Sequence, residues 1–383
     1  MEFHAFGNFY NFAVRLSLST MRKLCLVLVS VFLMLSSSGD AWAQFNRHNI
    51  KRNNKRIATY RGKKSGFGKE KKYNAIGFSI SALNYYGDIA PLPRRVSTDI
   101  SFTRPAFALS FAHRFGPRYT LVGQFMYGTL SASDKSASST GESGFRNARN
   151  LSFRNRIKEL SVTAYFDLFK NESTYISRVK WTPYVYLGIA GFLHNPQAKA
   201  PNKDLMGSPL SQGGQWVDLR PLGTEGQYSN LAATDVNHGI KPYSLAQVAI
   251  PFGVGARFRI NEVMDLWGDI GFRYTFTDYL DDVSGNYVDL NKLNNPLAQA
   301  MSYRTNELGP GGTTPPGSIA GNPPSIPYTY TSGSLAGLNV QNGYGSEEKD
   351  NIRGNKRNKD VYMVTSIRLT YILGATFHKA KFR

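Results

Sequence analysis

Cysteine is almost missing from this chain of 383 residues: there is one, Cys25. A lone thiol closes no intrachain disulfide and supports no cysteine-rich metal site, so neither staple is available to the fold. Acids are scarce as well, 26 against 46 Lys and Arg, giving a formal charge of +20. Long apolar runs are lacking with one exception near the start, which excludes a bundle of membrane-spanning helices at about 20 apolar residues each. Histidines number six, and none stands at the close spacing of a zinc-binding pair. No phosphate-binding glycine loop or dinucleotide fingerprint occurs. No cofactor is therefore expected.

The exceptional apolar run is Leu24 to Leu35. It follows Met21-Arg22-Lys23 and leads to the small-residue end Ala41-Trp42-Ala43. A basic start, a short apolar core and a small-x-small end predict a secretory signal peptide cut after Ala43. The core is too short for a membrane anchor. Residues 1–20 precede a signal that has its own methionine, so translation is expected to begin at Met21. Cys25 leaves with the signal, and the exported chain has no thiol.

Residues 44–73 form a basic arm with eleven Lys and Arg against Glu70 alone. They show no apolar period, so a flexible segment is expected. Export makes nucleic acid an unsuitable partner for this charge. Anionic lipid, an acidic protein partner or simple solubilisation remain open for it.

From residue 74 onward one pattern recurs. Ile76, Phe78, Ile80 and Ala82 lie on one face, opposite Gly77, Ser79 and Ser81. The same alternation runs through 107–115, 120–127, 159–168, 184–194, 247–259, 265–276 and 361–371. A period of two means strand, and eight such strands are each long enough to cross a bilayer at a tilt. The connections alternate between short (116–118, 171–181, 261–263) and long (88–104, 131–155, 195–244, 280–359). That alternation predicts an all-β fold over 74–383: an eight-stranded antiparallel up-and-down transmembrane β-barrel with long extracellular loops. The apolar face meets lipid, and the expected location is the outer membrane. A soluble sandwich, the competing architecture, gives no reason for loops to alternate in length.

The opposite face carries Arg114, Glu159, Arg257, Arg259, Asp269, Arg273 and Arg368. Eight strands leave a lumen only wide enough for side chains. These charges are expected to pair inside it as a plug, with Glu159 and Asp269 each meeting an arginine. Tyr85, Tyr86, Tyr119, Phe169, Trp181, Tyr279 and Tyr362 fall at strand ends, where interfacial girdles are expected. The segment 308–327, "LGPGGTTPPGSIAGNPPSIP", reads as irregular, and 195–244 as a possible cap.

Catalysis finds little support. His113 and His194 sit at opposite barrel ends, His4 and His48 lie outside it, His238 is in a loop and His378 in the tail. His194 with Asp278 or Asp282 is conceivable, but nothing marks a serine nucleophile. "YLDDVSGNYVD" (279–289) offers hard oxygen ligands without the spacing of a calcium loop, which favours a strand-capping turn. The chain is expected to be no enzyme.

Four stretches resemble the PorG-like outer-membrane barrel family: "NYYGDIAPL" on the first strand, "FRNARNLSFRNRIKELSVTAYFDLF" (145–169), "TPYVYLGIAGFLHNPQAK" (182–199) and "YLDDVSGNYVD". The resemblance implies an accessory part of the type IX secretion system, tied to a periplasmic ring and linked to gliding motility. On that reading Arg47, Lys51, Arg52, Lys55, Arg56, Lys63 and Lys64 dock periplasmic ring proteins. Tyr85, Asp88, Asp281, Asp282 and Tyr287 order the outer rim. A surface-binding protein acting through its long loops and a narrow solute pore are the alternatives.

Overall fold

The computed structural model describes residues 67–68, 71–91, 97–137, 144–293, 295–308, 328–341 and 343–373. The segment 1–43 expected to be a signal peptide, the arm residues from Arg47 to Lys64 and most of 308–327 lie outside them. The chain divides at Gly66/Phe67 into two units, and all the described residues belong to the second.

Eight long strands build a closed barrel: β1 (Tyr73–Tyr86), β2 (Arg104–Arg114), β3 (Tyr119–Ser133), β4 (Ser152–Asp167), β5 (Trp181–Leu193), β8 (Ala246–Arg259), β9 (Met264–Thr275) and β12 (Val361–Leu373). Each pairs antiparallel with its neighbours in the sequence of the eight, and β12 returns to β1 with Ile76 opposite Tyr371. No barrel strand is left with an open edge. At one end the turns are short, residues 115–118, 168–180 and 260–263. In the last of these, Asn261 Oδ1 accepts from the amides of Val263 and Met264 at 2.9 and 2.8 Å, a side-chain mimic of a backbone turn.

Burial alternates residue by residue along the strands, and the outward set is apolar. Ile189, Leu109 and Ile367 are 68%, 65% and 64% exposed. Phe78, Phe111, Phe125, Leu160, Leu187 and Val254 join them around the wall. A soluble protein does not leave a continuous apolar belt of this size to water, whereas hydrocarbon covers it without cost. No described helix is long and apolar enough to cross a membrane. The crossing is made by strands.

Two side chains decide how the lumen is filled. Tyr184 and Tyr186 point inward from β5, across the rows of glycines on β8 and β9. A Cβ on Gly271 would overlap the Tyr186 hydroxyl, and one on Gly255 would lie 2.7 Å from the Tyr184 ring. Glycine is used here for close approach, not for a turn.

At the other end the connections 87–103, 134–151, 194–245 and 276–360 are long. They contain α1 (Gly144–Arg149), α2 (Pro296–Ser302), the hairpin β6 (Pro196–Lys199) with β7 (Trp216–Asp218), and the small pair β10 (Tyr328–Thr329) with β11 (Asn339–Val340). The hairpin extends the barrel wall through β4, Arg154 opposite Gln197. Asn295 caps α2 by accepting from Ala298 N at 2.7 Å, with proline at the first turn, the usual start signal of a helix. These loops share a core of their own, including Tyr287, Leu290, Ala298, Tyr303, Tyr330, Val340 and Tyr344. They fold into a cap, and the part of the last loop that is described is compact.

The aromatic girdle is clearest at the short-turn rim, and at the long-loop rim Tyr86 keeps the outward register of β1, half-buried and edge-on to Phe272. Tyr119, Phe169 and Trp181 face outward at the short-turn end, and Phe169 meets Trp181 edge to face. Tyr85 and Tyr362 instead turn inward and are buried, and Tyr279 stacks on Tyr243 in the cap. Both buried tyrosines sit on the inward parity of their strands, which overrides their place at strand ends.

Candidate functional site

The lumen is closed by three layers of charge and aromatic rings. Nearest the short turns, Asp167 receives Arg114 at 2.7 Å and also Arg257, with the aspartate side chain fully buried. Beside them Arg178 meets Asp265 at 2.7 Å. Arg257 also lies over the Trp267 ring, 4.8 Å from its centroid. In the middle layer Arg368 donates to Gln124 at 2.7 Å and to the Tyr165 hydroxyl at 3.2 Å, and lies over Trp267. Above it Arg273 reaches Glu159 at 3.5 Å, and the Tyr362 hydroxyl donates to the other Glu159 oxygen at 2.6 Å.

Two expectations need correction. Asp269 accepts from hydroxyls, Ser366 at 2.8 Å and Tyr184 at 3.2 Å, with no arginine within salt-bridge distance among the described residues. Hydroxyl donors meet the hydrogen-bonding need of a buried carboxylate without supplying the counter-charge of a cation. Arg259 is not in the lumen. It is half-buried at the short-turn rim, where it donates to the carbonyls of Ile176 and Arg178. The alternation missed Arg178, which comes from a turn. It could have found Asp167, which continues the inward register of Glu159, Ser161, Thr163 and Tyr165.

Across the long-loop mouth lies a second knot, built from all four long connections. Arg149 grips Asp134 with two nitrogens at 2.8 Å each and donates to the Asp88 carbonyl at 2.9 Å. Arg353 donates to Glu225 at 2.9 Å and to the Asp282 carbonyl at 2.6 Å. Glu225 also accepts the amides of Ser284 and Gly285 at 2.9 and 3.0 Å. Asp282 takes the hydroxyls of Thr224 at 2.6 Å and Tyr243 at 2.7 Å, with its backbone in the left-handed region at φ 69°. Tyr85 Oη stands 2.7 Å from both Asp281 and Asp360. Asp88 accepts from Asn355 N at 2.8 Å.

The five rim residues singled out in the sequence thus occupy one buried region. Tyr85, Asp88, Asp281 and Asp282 belong to the knot, and Tyr287 packs edge-on to Tyr344 in the adjoining core. Asp134, Arg149, Glu225, Arg353 and Asp360 went unnoticed, since loop residues carry no period. Only Arg149 had a local hint, inside the "FRNARN" stretch. The docking residues Arg47, Lys51, Arg52, Lys55, Arg56, Lys63 and Lys64 lie outside the described residues.

His194 is buried, within 3.2 Å of Asn155 and 3.1 Å of the Ser244 carbonyl, and it stacks on Tyr243. Burial pushes its pKa down to about 4, so the imidazole is neutral. Neither Asp278 nor Asp282 is hydrogen-bonded to it, and the serine beside it, Ser244, meets it through its carbonyl while its hydroxyl donates to the Ala246 carbonyl. No group of three or more metal-ligating side chains fit to hold an ion occurs among them either.

Asp278 carries a testable cost. Its Oδ2 accepts from Ser284 at 2.7 Å, and its Oδ1 has no partner. Burial, with Asp88 and Glu225 nearby, pushes its pKa up to about 7 against the pull of Ser284 and Lys359. The unfolded carboxyl ionises near pH 4. The favourable contribution is therefore complete below that pH and is lost as pH rises through about 7. Asp278→Asn should leave cap stability unchanged near pH 4 and raise it by roughly 2–4 kcal/mol near pH 8. Hydrogen exchange of loop 276–293 at both pH values checks this, and an equal effect at both would refute the assignment.

A family model described as a domain of unknown function (DUF6089) matches residues 66–206. No curated protein matches the chain. Among solved structures, the chain is similar to Ail, the attachment invasion locus protein of Yersinia pestis, solved with the heparin analogue sucrose octasulfate. Identity is 7% over 79% of this chain and 99% of that one, with a TM-score of 0.30. Neisserial surface protein A gives 7% identity, coverage of 78% and 96%, and a TM-score of 0.29. A major outer membrane protein of Thermus thermophilus gives 12%, 78% and 98%, and 0.31. Scores this low transfer no function, and the barrel assignment rests on the strand ladder itself.

Proposed function

We propose that the protein is a non-enzymatic structural barrel of the outer membrane, acting as an occluded anchor and not as a solute pore. The observation that supports this most is the shared burial of Arg114, Asp167 and Arg257 across the lumen, below a mouth closed by the second knot. An eight-stranded lumen filled in this way has no room for a water file. Planar-bilayer recording of the purified barrel should show no ion steps above the bare membrane. Regular unitary conductance would overturn the reading.

The finer role, taken from the PorG-like resemblance, is an accessory part of the type IX secretion machinery. The short-turn end and the basic arm then face the periplasm, where the arm docks acidic surfaces of ring proteins. Deleting 46–72 should leave insertion intact and reduce co-purification of periplasmic partners. Undiminished co-purification would defeat the docking role. A second reading, surface contact through the cap, is favoured by the independent core that the long loops build. Exchanging loop 200–240 for a short turn should abolish such contact without affecting secretion.

A further inference from the structure

On the outer wall, just where the apolar belt ends at the long-loop side, three arginines line one cleft of about 330 Å³. Arg154 and Arg156 come from β4, and Arg104 from the start of β2, with Thr129 and Ser131 of β3 as the floor. Lys158 follows on the same outward row. Among the described residues, none of these four cations has a carboxylate within salt-bridge distance. Six arginines of the lumen and the mouth, Arg114, Arg149, Arg178, Arg257, Arg273 and Arg353, each have one, while Arg368 and Arg146 are held there by neutral groups.

The cleft is also held in shape. Trp216 of β7 lies under Arg154, the guanidinium 3.8 Å from the ring centroid, and Gln197 Oε1 accepts from Arg154 Nε at 3.0 Å. Gln197 in turn donates to Asp218 at 2.6 Å, so that acid is linked to Arg154 through the amide. Arg104 is turned toward its own loop, with the Ser101 and Thr103 carbonyls at 3.4 and 3.3 Å. Like charges gathered on one wall repel one another. They are relieved by an anion that several guanidinium groups can share, and the planar fork of arginine matches phosphate oxygens.

Position selects the source of that phosphate. Two residues further along β4 from Lys158, at about 7 Å per pair of residues, stands Leu160, 65% exposed. Tyr127 and Phe125 of β3 flank it outward. The cleft therefore opens sideways, at the height where lipid headgroups sit over the acyl layer. We infer that Arg104, Arg154 and Arg156 form a binding site for the phosphate of a lipid headgroup, with Trp216 orienting Arg154 and the acyl chains lying on Tyr127 and Leu160. This inference goes beyond the anchor role and concerns which lipid the anchor selects.

The test uses the full exported chain in nanodiscs of phosphatidylcholine doped with a diphosphorylated glycolipid or with its dephosphorylated form. Bound lipid is counted by native mass spectrometry. The wild-type chain should retain the phosphorylated lipid about tenfold better than the dephosphorylated one, the factor expected for a charge-assisted bidentate contact. The double variant Arg154→Gln/Arg156→Gln should lose that preference, and Arg357→Gln, an exposed arginine of the cap, should keep it. Equal retention of both lipids by the wild type overturns the site, as does a preference untouched by the double variant. Displacement of the lipid by millimolar inorganic phosphate would assign the cleft to soluble phosphate and overturn the lipid source. Because lipid exposure of the belt is measured separately by spin labels, failure here is distinguishable from failure of the barrel reading.

Discussion

Arg353→Ala is expected to open the mouth of the barrel while leaving the barrel standing. The guanidinium is 2% exposed and binds Glu225 at 2.9 Å, with Asp282 Oδ2 at 3.8 Å. Its removal strands two buried carboxylates, a loss on the order of 3–5 kcal/mol for a broken buried pair. That loss falls on the loops, since Glu225, Asp282 and Ser284 all lie outside the strands. Proteolysis should then cut within 200–245 and 343–360 faster than in the wild type, while the strand fragments stay protected. Arg353→Met keeps the aliphatic stem and most of the volume, and should fail in the same way if charge is what matters. Protease resistance equal to wild type in both variants would show that the mouth is held by its apolar core instead.

Asp167→Ala should act on the barrel itself. Among the described residues, its carboxylate is the only acid paired with Arg114 and Arg257, both buried in the lumen. Without it two arginines face each other in a site that water enters poorly. The expected loss is again about 3–5 kcal/mol, read as a lower denaturant midpoint for the strand signal with the slope unchanged. Repulsion between the two cations sets the effect, so adding Arg257→Met should recover part of it. Additive losses in the double variant would contradict the shared-ion account.

The fold was largely legible in the chain because lipid and lumen impose one period on every strand. All eight strands fall where the two-residue alternation places them, and the loops alternate in length because the strands are joined as hairpins. The same rule exposes its own misuse at Tyr85 and Tyr362. Both were read from their place at strand ends, although their parity already turned them inward. The mouth was legible only in part. "YLDDVSGNYVD" drew notice through its crowded acids, but Arg353 and Glu225 are 128 residues apart and Arg149 meets the Arg353 carbonyl across 204. Loops carry no repeat, so no pattern announces which distant charges will meet. The outward row Arg154, Arg156 and Lys158 could have been read from alternation, since it continues the lipid-facing register of Leu160 and Val162. Its basic character at the strand end marks where the apolar belt of the wall stops.

Lipid contact on the outer wall and its absence within can be measured on one chain, because Cys25 is its one cysteine and Cys25→Ser leaves no native thiol. Ile189→Cys and Ile367→Cys place labels on the wall, and Thr224→Cys places one in the closed mouth. In proteoliposomes the wall labels should collide with oxygen and be shielded from a water-soluble nickel chelate, while the mouth label is reached poorly by both. Ready access of the nickel chelate to the wall labels would contradict a barrel solvated by hydrocarbon.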